Sequence, residues 1–173
     1  MKSAADGELW CDNETLVQAA HDGDAAGYKR VIQQVSRRHS IEDQTLAGLY
    51  MQPLLGHAVI EAVGGKPNEN DIDRLSRKLW EPFRAILDFA IVDDLWDALA
   101  FNFDNVPRRR EVSFDMFRLS ASVALGVLIS DPRRDLERMK PYADEWIRRW
   151  HVHAAERLGQ PRIKRRWRRR QRR

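Results

Sequence analysis

Ile72, Leu75, Leu79, Phe83, Ile86 and Leu87 recur at intervals of three and four, a spacing that places them along one stripe of an α-helix. The pattern returns elsewhere in the chain. Tyr28, Val31, Ile32 and Val35 make another stripe, and Leu46, Leu49, Tyr50, Leu54, Leu55, Val59 and Ile60 make one across residues 41–63. Ala143, Ile147, Trp150, Ala154 and Leu158 make a last one. No stretch keeps the apolar–polar alternation of a half-buried strand for more than about four positions. No repeat of roughly 20 to 50 residues marks a solenoid. The expectation is an all-α fold, a compact bundle of about five to seven helices. A chain of 173 residues can bury roughly 70% of its unfolded surface as one domain, without staples.

Local signals divide the chain into a polar N-terminal lead (residues 1–11), a single helical domain (12–160) and an arginine-rich tail (161–173). Asp12 and Asn13 read as a cap for a short helix that closes at His21-Asp22-Gly23-Asp24. A second helix opens at Asp24 and carries Arg37, Arg38 and His39 near its end, where positive charge suits the dipole. Pro53 and Pro82 predict kinks or breaks, and Pro141 a restart. Gly64-Gly65-Lys66-Pro67-Asn68 is the clearest breaker, where the domain can divide into two halves. Residues 89–103 again show helical spacing, and Val106-Pro107-Arg108-Arg109-Arg110 reads as a basic loop. Ser113 and Asp115 cap a helix over residues 114–129 that is apolar on most sides and is therefore expected at the centre. Asp131-Pro132 starts the last helical region.

Charge is the strongest functional signal. Arg162, Lys164, Arg165, Arg166, Arg168, Arg169, Arg170, Arg172 and Arg173 put nine positive charges into residues 162–173 with no acid among them, so the formal net charge of +4 leaves −5 for residues 1–161. Such a segment repels itself and is expected to be disordered alone in water. Beside a polyanion the repulsion reverses. Guanidinium forks bind phosphate, and Trp167 among them offers a face for a base. The expected partner is nucleic acid, DNA or RNA, met without sequence preference, with Arg108, Arg109 and Arg110 assisting if their loop lies nearby. A helical protein–protein adaptor or homodimer with an incidental tail is the alternative.

Other constellations carry less. Asp93-Asp94-Leu95-Trp96-Asp97 could turn three carboxylates toward one Mg²⁺. The string resembles the DDxxD motif of all-helical prenyltransferases and terpene synthases, and the resemblance implies metal and diphosphate binding in a diphosphate-processing enzyme. Those enzymes need a longer chain and a second motif. Helical projection puts Ile91, Leu95 and Leu99 on one face and Asp93 and Asp97 opposite, so the acids are expected to face water. His57 and Glu61 are one turn apart, and His153 and Glu156 have the reverse of a Glu-x-x-His spacing, while His151 and His153 do not share a face. No metal, cofactor or catalytic residue is expected. Leu16-Val17, Ala19-Ala20, Gly23-Asp24, Ala25-Ala26 and Tyr28 resemble the opening of region two in small alternative sigma factors, but that family's basic helix and aromatic run do not follow. Residues 41–63 admit a helix-turn-helix reading, against which Pro53 and Gly56 count.

The lone Cys11 cannot close an intramolecular disulfide, which fits a reducing, cytoplasmic setting. No apolar run near residue 1 could serve as a secretory core. The longest, residues 119–129, is far short of the ~20 residues a bilayer requires. Tyr142, Trp146 and Trp150 would form a partner surface if exposed together.

Overall fold

The computed structural model describes residues 4–110 and 113–159, and all regular structure among them is helical. Seven helices follow in order: α1 (Ala4–His21), α2 (Ala25–Arg38), α3 (Ile41–Val63), α4 (Glu69–Ile86), α5 (Val92–Ala100), α6 (Phe114–Leu128) and α7 (Pro132–Gly159). Residues 160–173, the arginine-rich tail of 161–173 among them, lie outside the described residues, and so does the tail's expected disorder. No described helix is long and apolar enough to cross a membrane.

The centre is α6, as its sequence predicts. It packs against α1, α3, α4 and α5, and Ala121, Val123, Ala124 and Leu125 are sealed from solvent. The small residues explain why so many helices can approach it. A Cβ added at Gly126 would lie 2.6 Å from the Val17 carbonyl oxygen and 2.7 Å from the Ala20 Cβ, so the bare backbone is what lets α1 close onto α6. His21 Nδ1 reaches the Gly126 carbonyl at 3.1 Å across the same contact. Tyr28 crosses from α2 to lie 2.6 Å from the Ser122 hydroxyl, and burial pushes its phenol well above the usual tyrosine range.

Capping residues set most boundaries. Asp24 accepts from the Gly27 amide at the start of α2. Ser40 with Asp43 and Asn68 with Asp71 make reciprocal capping boxes for α3 and α4. Ser113 accepts from the Met116 amide at α6. Gly64 ends α3 in the left-handed region, φ 77°, where only glycine is unstrained.

Three expectations change. First, the N-terminal lead is not a lead: α1 starts at Ala4, so Asp12 and Asn13 lie within it, and Leu9 and Trp10 are buried. The two polar residues face neighbouring helices instead of capping. Asn13 donates to the Ala47 carbonyl on α3 at 3.1 Å, and Asp12 pairs with His39 at 2.7 Å. Secondly, of the kinks or breaks expected at Pro53 and Pro82 and the restart at Pro141, the breaks and the restart are absent, since each proline lies inside a continuous helix. Each proline has core residues on both sides along its own helix, Met51 and Leu54 for Pro53, Leu79 and Phe83 for Pro82, Met139 and Ala143 for Pro141. Their burial offsets the lost backbone bond. Because α3 is one continuous helix, the helix-turn-helix reading of residues 41–63 fails. Thirdly, the dense segment 89–103 is only nine residues of helix, Val92–Ala100.

Gly126→Ala should lower unfolding free energy by about 1–3 kcal/mol through overpacking against α1, measured by urea denaturation. Gly65→Ala, whose Cβ would meet nothing within 4 Å, should leave the midpoint within about 0.5 kcal/mol of the parent.

Candidate functional site

The aspartate string and the basic loop, read as separate features in the sequence, are one structure. α5 is wedged between α4 and α6, and residues 106–110 fold over its remaining face. Asp97 is consequently 2% exposed, where the helical projection expects it in water. Its two oxygens are divided between consecutive amides: Oδ1 accepts from the Arg109 N–H at 2.7 Å and Oδ2 from the Arg110 N–H at 3.0 Å. Asp94, also buried, accepts from the Ile91 amide at 2.9 Å and caps its own helix. The projection errs because it knows only one apolar neighbour for α5; Ile91, placed on the inner face, is 45% exposed.

The arginine side chains lie back over the same helix. Arg109 stacks on the indole of Trp96, its Cζ 3.6 Å from the ring centroid, while its nitrogens lie 3.4 Å from Asp93 and 3.8 Å from Asp73. Arg110 is 3.6 Å from Asp94. Arg108 covers Phe101 at 4.3 Å, and Phe101 in turn meets Phe117 of α6 at 4.2 Å. Trp96 is fully buried and donates its Nε1–H to the Pro107 carbonyl at 3.3 Å. The arrangement fixes the loop by backbone bonds and partly neutralises it with three acids. The cation–π contact, made by a half-exposed guanidinium, adds about 0.5–1 kcal/mol, while the half-exposed ion pairs contribute little. A phosphate reaching Arg109 or Arg110 competes with carboxylates already there.

The histidine pairs of the sequence separate. His57 Nε2 is 3.2 Å from Glu61, but Glu61 is also held by a bidentate Arg138 from α7. That guanidinium keeps the Glu61 carboxyl below the usual glutamate range. The imidazole stacks on Tyr142 at 4.8 Å, so this cluster joins α3 to α7. The side chains of Trp150, His151, His153 and Glu156 lie outside the described residues, as do all of Arg162, Lys164, Arg165, Arg166, Trp167, Arg168, Arg169, Arg170, Arg172 and Arg173. Among the described residues no group of three or more His, Cys, Asp or Glu gathers in metal-ligand geometry. Cys11 is exposed on α1.

Two surfaces escaped the sequence reading. Phe89, at 59% exposure, stands with Ile91 and Val92 as an uncovered apolar patch at the α4–α5 turn; only its place after the end of a stripe could have signalled it. An open groove of about 700 Å³ runs between α1, α2 and the start of α7, with Glu14, Asp22, Asp24 and Glu137 outnumbering Arg30 and Arg133 on its walls. No protein-family model, curated protein or solved structure matches the chain.

Asp97→Ala strips two amides of their acceptor and should cost about 1–3 kcal/mol, with a red shift of tryptophan emission as Trp96 loses its cover. Asp93→Asn, on a half-exposed side chain, should stay within about 0.5 kcal/mol. Chemical denaturation followed by fluorescence measures both.

Proposed function

We propose that the chain is a helical binding protein that attaches to nucleic acid through the arginines of residues 162–173, without sequence preference. The observation that carries this is the charge division: nine cations without an acid in the tail against −5 in residues 1–161. The packing supports it from the other side, since Arg109 and Arg110 already have carboxylate partners and Arg108 an aromatic one. The tail thus has the stronger claim on phosphate, and the loop arginines are secondary contacts. Phosphate binding would position the protein while the helical body serves another contact.

A protein–protein role for that body is the second reading, favoured by the exposed Phe89, Ile91 and Val92. An enzyme acting on a diphosphate through Asp93, Asp94 and Asp97 is the least favoured, because Asp97 spends both oxygens on backbone amides and Asp94 caps α5.

Fluorescence anisotropy with labelled duplex and single-stranded oligonucleotides, across a salt series, tests the proposal. The full chain should bind with a log–log salt slope that approaches ~−8 as an upper bound for nine charges on duplex. Replacing the nine tail cations by glutamine should abolish binding with the helical circular dichroism unchanged. Replacing Arg108, Arg109 and Arg110 should weaken binding far less and lower thermal stability. Binding that survives tail neutralisation would refute the proposal.

A further inference from the structure

Arg118 is a charge in an unexpected place. It lies in the second turn of the hub helix α6 and is 6% exposed. Among the described residues its Nε, sealed from solvent, has no acceptor, and Nη1 reaches only the Gln44 carbonyl, at 3.5 Å. Asp115 and Tyr28 act on it through space, and no carboxylate among the described residues pairs with it. Desolvation is the dominant influence and lowers its pKa, yet an arginine stays charged throughout the physiological range.

Its surroundings sharpen the mismatch. Long side chains on a helix lean toward its N-terminus, and Gln44 belongs to the first turn of α3. The guanidinium therefore lies by the N-terminal turns of two helices, whose partial positive charge disfavours a cation and favours an anion. Glu42, Asp43 and Asp115 in those turns offset part of this by their charge, but Asp43 is engaged with Ser40 and Asp115 is exposed. A buried polar group without a partner calls for a water or an ion. The burial is shallow: Gln44 and Met116 are half-buried and Asp115 exposed beside it.

We infer that Arg118, between the first turns of α3 and α6, is the receptor of an oxyanion site that takes a single phosphate or carboxylate group on its guanidinium. The site is independent of the tail. Its occupant supplies the counter-charge that the described residues lack, and a charge-assisted bond from the guanidinium is about twice as strong as a neutral one.

Thermal unfolding of the full chain in sodium phosphate, in sodium acetate and in sodium chloride, at matched ionic strength and pH, tests it. Phosphate or acetate should raise Tm by about 2–4 °C over chloride, and which of the two does so identifies the group recognised. Arg118→Met should fold, match or exceed the parent's Tm in chloride, and lose the anion-specific rise. The chain with its tail cations changed to glutamine should keep the rise, which separates this site from nucleic-acid attachment. If Met at position 118 prevents folding, Arg118→Lys keeps the charge without the fork and should show a reduced rise. An anion-specific rise absent from the parent, undiminished in the Arg118 variants, or lost with the tail cations would overturn the assignment.

Discussion

The bundle depends on how closely other helices can approach α6. Gly126 gives α1 access to its backbone, Ala121 and Ala124 keep its flanks narrow, and Phe117 carries its contact to the loop after α5. With α1, α3, α4 and α5 on its flanks, little of α6 beyond its first turn is left for water, which is why its sequence lacks a polar face. The partners can be amphipathic because α6 is not. Of its buried polar residues, Ser122 is answered by Tyr28, whereas Arg118 has one long bond to a carbonyl and the Ser120 hydroxyl has no partner among the described residues.

The same packing decides what the charged residues can do. A helix as short as α5 cannot hold itself together, and it is secured by Asp94 at its start and by the loop that Asp97 draws over it. The price of that clasp is functional. Arg108, Arg109 and Arg110 look like a basic patch in one dimension, but in three they are spread over Trp96, Phe101 and three aspartates. Residues 162–173 contain no acid at all, so they differ in kind from a basic loop packed on acids. That contrast, rather than the total number of arginines, separates structural from available positive charge in this chain.

Where the sequence was legible, long stripes made it so. The α4 stripe is buried at all six positions read from it, and α3 has the bounds its periodicity implies, because apolar spacing over several turns has one solution. Local chemistry was harder. Asp12 and Asn13 have the right identities for a cap yet serve tertiary contacts, since a capping residue and a buried interhelical donor are the same residue type. Asp97 was misread for a related reason: a helical wheel shows which residues share a face and says nothing about what covers the other one. Only a long-range pairing of Asp97 with amides twelve and thirteen residues on buries that face, and no residue type announces an acceptor for backbone N–H groups.

The account's central claim is that nucleic acid meets the tail and not the helical body. Ultraviolet cross-linking of a single-stranded oligonucleotide to the full chain, followed by cleavage at glutamate and mapping of the labelled fragment, tests that most directly. The label is predicted in residues 157–173, with Trp167 as the expected photoreactive position. A label concentrated on the fragment of residues 82–111, which holds Trp96, Phe101 and the loop arginines, would contradict it, and would mean that the acid-paired loop opens to phosphate.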